Sequence, residues 1–195
     1  MNAQAIESAR CNHAGKRGEE IHFGIGDSLL GYVLVARSEK GICAILLASD
    51  RLTLVRNLQD LFPYAILKDG DTELKKLVSG VAQFVEDPSR DLVVSLDERG
   101  TAFQRRVWKA LREIPVGSTK SYAEVAAKIG SPKSVRAVAQ ACAANPLAVV
   151  IPCHRILGCD GALSGYRWGT ERKKRLLERE AARCPSDTST TSVRK

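Results

Sequence analysis

Between Ile21 and Leu47 the apolar residues fall in short runs, Ile21–Ile25, Tyr32–Ala36 and Ile42–Leu47, separated by glycines at 24, 26, 31 and 41. Runs of that length bounded by turn residues predict three β-strands. The spacing then lengthens to a helical period. Apolar positions 54, 55, 58, 61 and 62 predict a helix over Leu52–Leu61 stopped by Pro63, and 74, 77, 78, 81, 84 and 85 predict another over Thr72–Val85, closed by Asp87-Pro88. Leu92–Leu96 reads as a further strand. A polar lead-in over residues 1–20 and a small α+β domain over residues 21–97 follow from this pattern.

Beyond residue 97 the pattern is helical. Thr101 is placed to cap a helix through Glu113 that carries Phe103, Val107, Ala110, Leu111 and Ile114 on one face and ends at Pro115-Val116-Gly117. Ser121 or Tyr122 starts a short helix that Gly130 stops. Ser131-Pro132 opens another, running to about Ala144, with Asn145-Pro146 as terminator. Helix, tight turn, helix is the helix-turn-helix arrangement, although any two short packed helices share it. At 100° per residue, Val135, Val138, Ala139 and Cys142 form the buried stripe of the second helix. The opposite face presents Lys133, Arg136, Ala137, Gln140 and Ala144, small residues with two cations and an amide. That face suits close approach to a narrow nucleic-acid groove. A unit over residues 98–183 and a polar tail over 184–195 complete the organisation.

Charge sharpens this division. The 195-residue chain has a formal net charge of +8, yet residues 1–100 carry 12 Lys and Arg against 15 Asp and Glu. Residues 101–183 carry 16 against 6, so a polyanion is the expected partner of the second half. The bland alternative is a solvated basic helix, since Arg172-Lys173-Lys174-Arg175 supplies four of these charges. No apolar run approaches the ~18–20 residues of a membrane span. The N-terminus has no basic segment followed by an apolar stretch, so a cytoplasmic location is expected. Six widely separated cysteines then read as reduced thiols.

Candidate chemistry centres on Ile151-Pro152-Cys153-His154-Arg155-Ile156. A thiolate is a strong nucleophile, an imidazole can take its proton, and Arg155 would favour the anion electrostatically. Cys153, His154 and Cys159 do not follow zinc-ligand spacing. By itself a buried structural cysteine is the simpler reading.

The same segment resembles the active-site signature of the O6-alkylguanine-DNA alkyltransferases, the methylated-DNA–protein-cysteine methyltransferases. The similarity extends over Gly100–Gln104, Val107-Trp108, Ile114-Pro115, Ser121-Tyr122, Pro132-Lys133, Arg136–Val138, Asn145, Ser164–Gly169, Lys173 and Glu180. Glu39–Leu47 adds likeness to the C-terminal repair domain of bacterial adaptive-response proteins, so that residues 21–183 are covered. The resemblance implies an α+β protein, an N-terminal RNase H-like α/β domain followed by a winged helix-turn-helix-like domain. It implies binding of double-stranded DNA through the minor groove, with O6-alkylguanine flipped out of the stack, since the O6 substituent otherwise lies in the major groove.

Cys153 is then the nucleophile and permanent alkyl acceptor, with His154 acting through water and linked to Glu180 as its orienting partner. The resemblance makes Tyr122 a donor to guanine N3, Arg136 the residue filling the vacated stack, and Asn145 the tie between helix-turn-helix and active-site loop. Tyr166, Arg167, Trp168 and Ile156 line the base pocket. Duller readings stand beside each: a surface ion pair for Glu180, a C-cap for Asn145, a packed helix start for Tyr122 and a solvated cation for Arg136.

No cofactor is expected, because the alkyl group arrives on the DNA and no phosphate-binding glycine loop occurs. No metal is expected either, although Cys11, His13, His22 and Cys43 could be suggested as a zinc set, since some family members bind structural zinc. A monomer is expected, and O4-alkylthymine is a conceivable second substrate. The additional metal-binding and regulatory modules of full-length adaptive-response proteins have no counterpart in this sequence. A rival class is a DNA-binding module without chemistry, which leaves Cys153 unexplained. A helix-turn-helix regulator likewise leaves the Pro-Cys-His-Arg block without a purpose.

Overall fold

The computed structural model describes residues 16–183 except 89, 91 and 164. The first half builds a four-stranded sheet from β1 (Glu20–Ser28), β2 (Gly31–Ser38), β3 (Gly41–Ala48) and β4 (Ile66–Asp69) in the order β3-β2-β1-β4. The first three strands form an antiparallel meander, and β4 joins β1 in parallel. Helix α1 (Arg51–Leu61) follows β3, with Asp50 accepting from the Thr53 amide at its start. Helix α2 (Thr72–Glu86) follows β4 and is capped in the same way by Asp71.

Strand periodicity decides which helix covers which face. Leu34, Ala36, Cys43, Ala44 and Leu46 face α1, packing against Leu54, Leu58 and Leu61. Val33, Val35, Ile45 and Leu47 point the other way, toward Leu74, Val78, Val81 and Val85 of α2 and the second half's core. With both faces covered, β3 is an unbroken apolar run rather than an alternating one. Gly26 makes room for α2, because a Cβ there would lie 2.6 Å from a Val78 methyl.

The second half contains α3 (Ala102–Arg112), α4 (Tyr122–Lys128), α5 (Val135–Ala143) and α6 (Thr170–Arg183). Between them run a short parallel pair, β5 (Lys120–Ser121) with β6 (Ile156–Leu157), and a single 3-10 turn, Cys153–Arg155. Capping boxes fix the starts of α3 (Thr101 with Gln104) and α4 (Ser121 with Glu124). Trp108 is wholly buried and its indole donates to the Ala141 carbonyl at 2.9 Å, locking α3 onto α5.

The two halves are joined along the edge of β3. Ile42 exchanges hydrogen bonds with Ser95 and Asp97 of the connecting segment. Ile45 does the same with Pro146 and Ala148, just ahead of Cys153. Arg99 secures the connection by bonding both Glu19 carboxylate oxygens, at 2.9 and 2.5 Å, and Asp97 at 2.6 Å.

Several sequence expectations need correction. Leu92–Leu96 is not a strand: only Leu96 bridges to Ile42, and Val93 is 94% exposed. The expectations passed over β4, whose four residues are mostly exposed and show no alternating burial. Helix α5 starts at Val135, because Ser131–Ser134 closes a turn, the Ser134 amide donating to the Ser131 carbonyl. Its buried side is Val138, Ala141 and Cys142; Val135 is exposed and Ala139 only half-buried. Ala144, expected on the open face, is buried, and Ala143 takes the exposed position.

Candidate active site

Asn145 follows the last turn of α5, and its fully buried amide organises the next eight residues. Its Oδ1 accepts from the Leu147 amide at 2.8 Å, while Nδ2 donates to the carbonyls of Ile151 (3.0 Å) and Leu147 (3.3 Å). The same Nδ2 lies 3.4 Å from Cys153 Sγ as a donor. Asn145 is thus far more than a C-cap.

The loop it holds contains two three-residue turns. Val149 has φ of 61°, with the Val150 amide donating to the Ala148 carbonyl at 2.7 Å, a γ-turn of the strained type. A β-branched residue in that region costs roughly 1–3 kcal/mol, which the surrounding contacts must offset. A second such bond, from the Cys153 amide to the Ile151 carbonyl, spans Pro152 at φ −80° and ψ 60°.

Beyond the turns, Cys153 is 5% exposed and His154 1%. His154 Nε2 meets Glu180 Oε1 at 2.8 Å, spanning from the 3-10 turn to the last part of α6. Glu180 also accepts from Arg155 through both oxygens at 2.8–3.1 Å and from the Gly117 amide at 3.2 Å. Arg155 extends further to the Ile114 carbonyl at 2.6 Å. Here the expectation for Arg155 is corrected: its charge is spent on Glu180 rather than offered to the thiol. Glu180, in turn, is a buried hub and not a surface partner of Arg179.

Burial pushes the Cys153 thiol up to about 11, against the opposing pull of the Asn145 hydrogen bond and then of Lys173. Burial likewise lowers the His154 pKa despite the Glu180 partner, so the imidazole is neutral near pH 7. For Glu180, burial acts upward, but the bonds from His154 and Arg155 outweigh it and hold the carboxyl at about 2. The site therefore rests as thiol, neutral imidazole and carboxylate. Among the described residues, the buried atoms His154 Nδ1 and Tyr166 Oη have no hydrogen-bond partner.

The remaining expected residues are distributed around this centre. Tyr166 lies edge-on to His154 (6.4 Å between ring centroids) and to Trp168 (5.1 Å), and both aromatic side chains are buried. Arg167 makes long contacts of 3.5 Å to the Ala144 and Asn145 carbonyls, tying this loop to the end of α5. Ile156 is buried behind the 3-10 turn. Tyr122 is half-buried at the first turn of α4, against the core that includes Cys153. Lys133, Arg136 and Gln140 are exposed and Ala137 is half-buried, and among the described residues neither cation has an ion-pair partner.

The role of Lys173 was missed in the sequence. It is fully buried, and its ammonium donates to the Ile156 carbonyl. Burial lowers its pKa. Its place in a run of four cations made it read as solvated; the helical period, which sets Lys173, Leu176 and Glu180 on one face, is the signal that could have found it. Of the suggested zinc set, Cys11 and His13 lie outside the described residues, and Cys43 is buried with its thiol donating to the Ala36 carbonyl. Among the described residues no three His, Cys, Asp or Glu side chains form a metal-binding group.

Fold and site together define a two-part α+β protein in which a buried Cys-His-Glu constellation adjoins a pair of short helices. The family model for the 6-O-methylguanine DNA methyltransferase DNA-binding domain matches residues 102–182. The inducible methylated-DNA–protein-cysteine methyltransferase of Bacillus subtilis is 38% identical over 162 residues, covering 83% of this chain and 86% of that protein. The bifunctional transcriptional activator/DNA repair enzyme Ada of Escherichia coli is 52% identical over 161 residues, covering 83% of the chain and 46% of Ada. The chain thus spans about half the length of that relative. A crystal structure of Mycobacterium tuberculosis OGT in complex with DNA superposes with a TM-score of 0.69 at 35% identity, covering 85% of this chain and 96% of that one. The chain belongs to the methylated-DNA–protein-cysteine methyltransferase family.

Proposed function

We propose that this protein repairs DNA by moving the alkyl group of O6-alkylguanine onto Cys153, once per molecule. The observation that carries the reading is the buried Cys153 thiol, held by Asn145, next to a neutral His154 whose far nitrogen rests on Glu180. Sulfur attacks the alkyl carbon, the C–S bond forms as the C–O6 bond breaks, and the electron pair leaves with guanine. The thiol proton passes to His154 Nδ1 through water, and the departing guanine gains one proton in exchange, so charge and atoms balance. Glu180 stabilises the imidazolium and fixes its orientation. Tyr122 hydrogen-bonds guanine N3 as charge develops on the leaving base.

A thioether has no facile leaving group, and Cys153 stands as a free thiol outside any disulfide. The reaction therefore ends with the protein consumed. DNA binding is assigned to α4 and α5 as a winged helix-turn-helix, with Lys133, Arg136, Ala137 and Gln140 toward the minor groove and Arg136 entering the stack as the base flips. Tyr166, Arg167, Trp168 and Ile156 then line the base pocket, and the sheet of residues 21–97 acts as an RNase H-like scaffold. We assign the protein to the cytoplasm as a monomer. Among the described residues no helix is long and apolar enough to cross a membrane.

The test is mass spectrometry after mixing the protein with duplex DNA containing O6-methylguanine. One added methyl on the peptide bearing Cys153 is expected, with none in Cys153→Ser. Repair exceeding one equivalent of active protein would overturn the reading.

A further inference from the structure

Arg172 belongs to the basic run at the start of α6, yet it is not a solvated cation. Each of its three nitrogens has a fixed acceptor. Nε donates to the Leu30 carbonyl at 2.8 Å, one terminal nitrogen to the Trp168 carbonyl at 2.9 Å, and the other to Ser49 Oγ at 3.0 Å. Leu30 lies in the turn between β1 and β2, Ser49 lies between β3 and α1, and Trp168 belongs to the base-pocket loop. The guanidinium thus ties that loop to two turns of the first half. Gly31 permits the approach: at φ of 100°, a Cβ would stand 2.6 Å from the Ala48 carbonyl and 3.3 Å from the guanidinium.

A cavity of about 360 Å³, lined in part by Ser49, Arg167, Trp168 and Arg172, opens beside this fork. From Trp168 the contacts continue through the Tyr166 ring to His154.

We propose that Arg172 is a positioning residue through which the first half of the chain holds the Tyr166–Trp168 loop in place for alkyl transfer to Cys153. The inference rests on the alkyl-acceptor reading above. A lysine keeps the charge but cannot present three donors in one plane, so Arg172→Lys is the informative substitution.

The test compares Arg172→Lys and Ser49→Ala with wild type in the full chain, using O6-methylguanine duplex DNA. Two quantities are measured: the Kd for unmodified duplex and the first-order transfer rate at saturating methylated DNA. Misplacement of a pocket loop lowers the saturated rate of Arg172→Lys about ten- to a hundredfold, with the Kd within about twofold of wild type. Ser49→Ala removes one acceptor and is expected to slow transfer about fivefold, a result that stands even where the Arg172 variant fails to fold. An unchanged transfer rate in both folded variants overturns the proposal. So does a weakened Kd with an unchanged saturated rate, which would make Arg172 a phosphate contact. Wild-type protein that leaves the DNA methylated would overturn the alkyl-acceptor reading instead.

Discussion

Two arginine–carboxylate clusters, a part-buried one in the first half of the molecule and a fully buried one in the second, each lie close to a buried thiol. In the first half Arg99 gathers Glu19 and Asp97, with Ser38 donating to Asp97 at 2.7 Å, close to the buried thiol of Cys43. In the second half Arg155 gathers Glu180, close to the buried thiol of Cys153. Burial pushes both thiols up, Cys43 to about 12 and Cys153 to about 11. What separates them is the neighbouring base. In the first cluster both carboxylates bond Arg99 and neither meets a histidine, whereas the second carries a histidine with one nitrogen on Glu180 and the other, among the described residues, unpartnered. A depressed thiol pKa therefore does not distinguish Cys153 from Cys43; the imidazole beside Cys153 does.

Breaking the second cluster has the largest expected effect. Glu180→Gln leaves Arg155 buried without its counter-charge, a change of about 3–5 kcal/mol that urea unfolding reads directly. Transfer to Cys153 should fall with it, because His154 loses the partner that orients it.

Acidification probes the same cluster without mutation. The folded His154 pKa lies below its ordinary value of 6.5, so the neutral imidazole is retained in the folded protein while the unfolded histidine protonates. Its contribution to stability is present above about pH 6.5 and is lost as pH falls through the lowered folded value. The Glu180 contribution is present above about 4.5 and lost as pH falls toward about 2. The thermal midpoint should therefore decline below pH 6.5 and more steeply below 4.5. The methyl-transfer rate should hold as pH falls to 6.5 and drop only below it; a loss on acidification that begins above 6.5 would contradict a neutral buried His154.

The smallest effect is expected at the other thiol. Cys43→Ala removes one long hydrogen bond of 3.5 Å and a sulfur, costing about 1 kcal/mol by denaturant titration, and leaves the transfer rate unchanged. Loss of transfer in that variant would erase the distinction between the two clusters.

The sequence exposed those parts of this arrangement whose signals are local. Thr101 was legible as a helix cap and Ser121 as one of two candidate starts, and the structure shows a capping box closed at each, with Gln104 and Glu124. The three meander strands were legible because their apolar runs are bounded by glycines. Non-local partners decided what was missed. Strand β4 forms by pairing with β1, more than forty residues earlier, and has no burial pattern of its own. Leu92–Leu96 is apolar enough for a strand but finds a ladder partner only at Leu96. At the site, adjacency suggested that Arg155 serves Cys153, yet a side chain on α6 claims it. Lys173 and Arg172 were hidden for the converse reason, since a run of four cations looks like a solvent face until two of them prove to be anchored.

The pairing of β3 with segments on either side of the second half bears on how the chain can be divided. Ile42 and Ile45 satisfy their outward amides and carbonyls only through Ser95, Asp97, Pro146 and Ala148. A fragment ending near residue 90 would present those groups on an uncovered aliphatic edge, a template for self-association that intact proteins normally cover. The complementary fragment would lose the rail against which the run into Cys153 is laid. Separately expressed halves should clump and stay inactive until mixed, the behaviour expected of one folding unit with a two-part architecture.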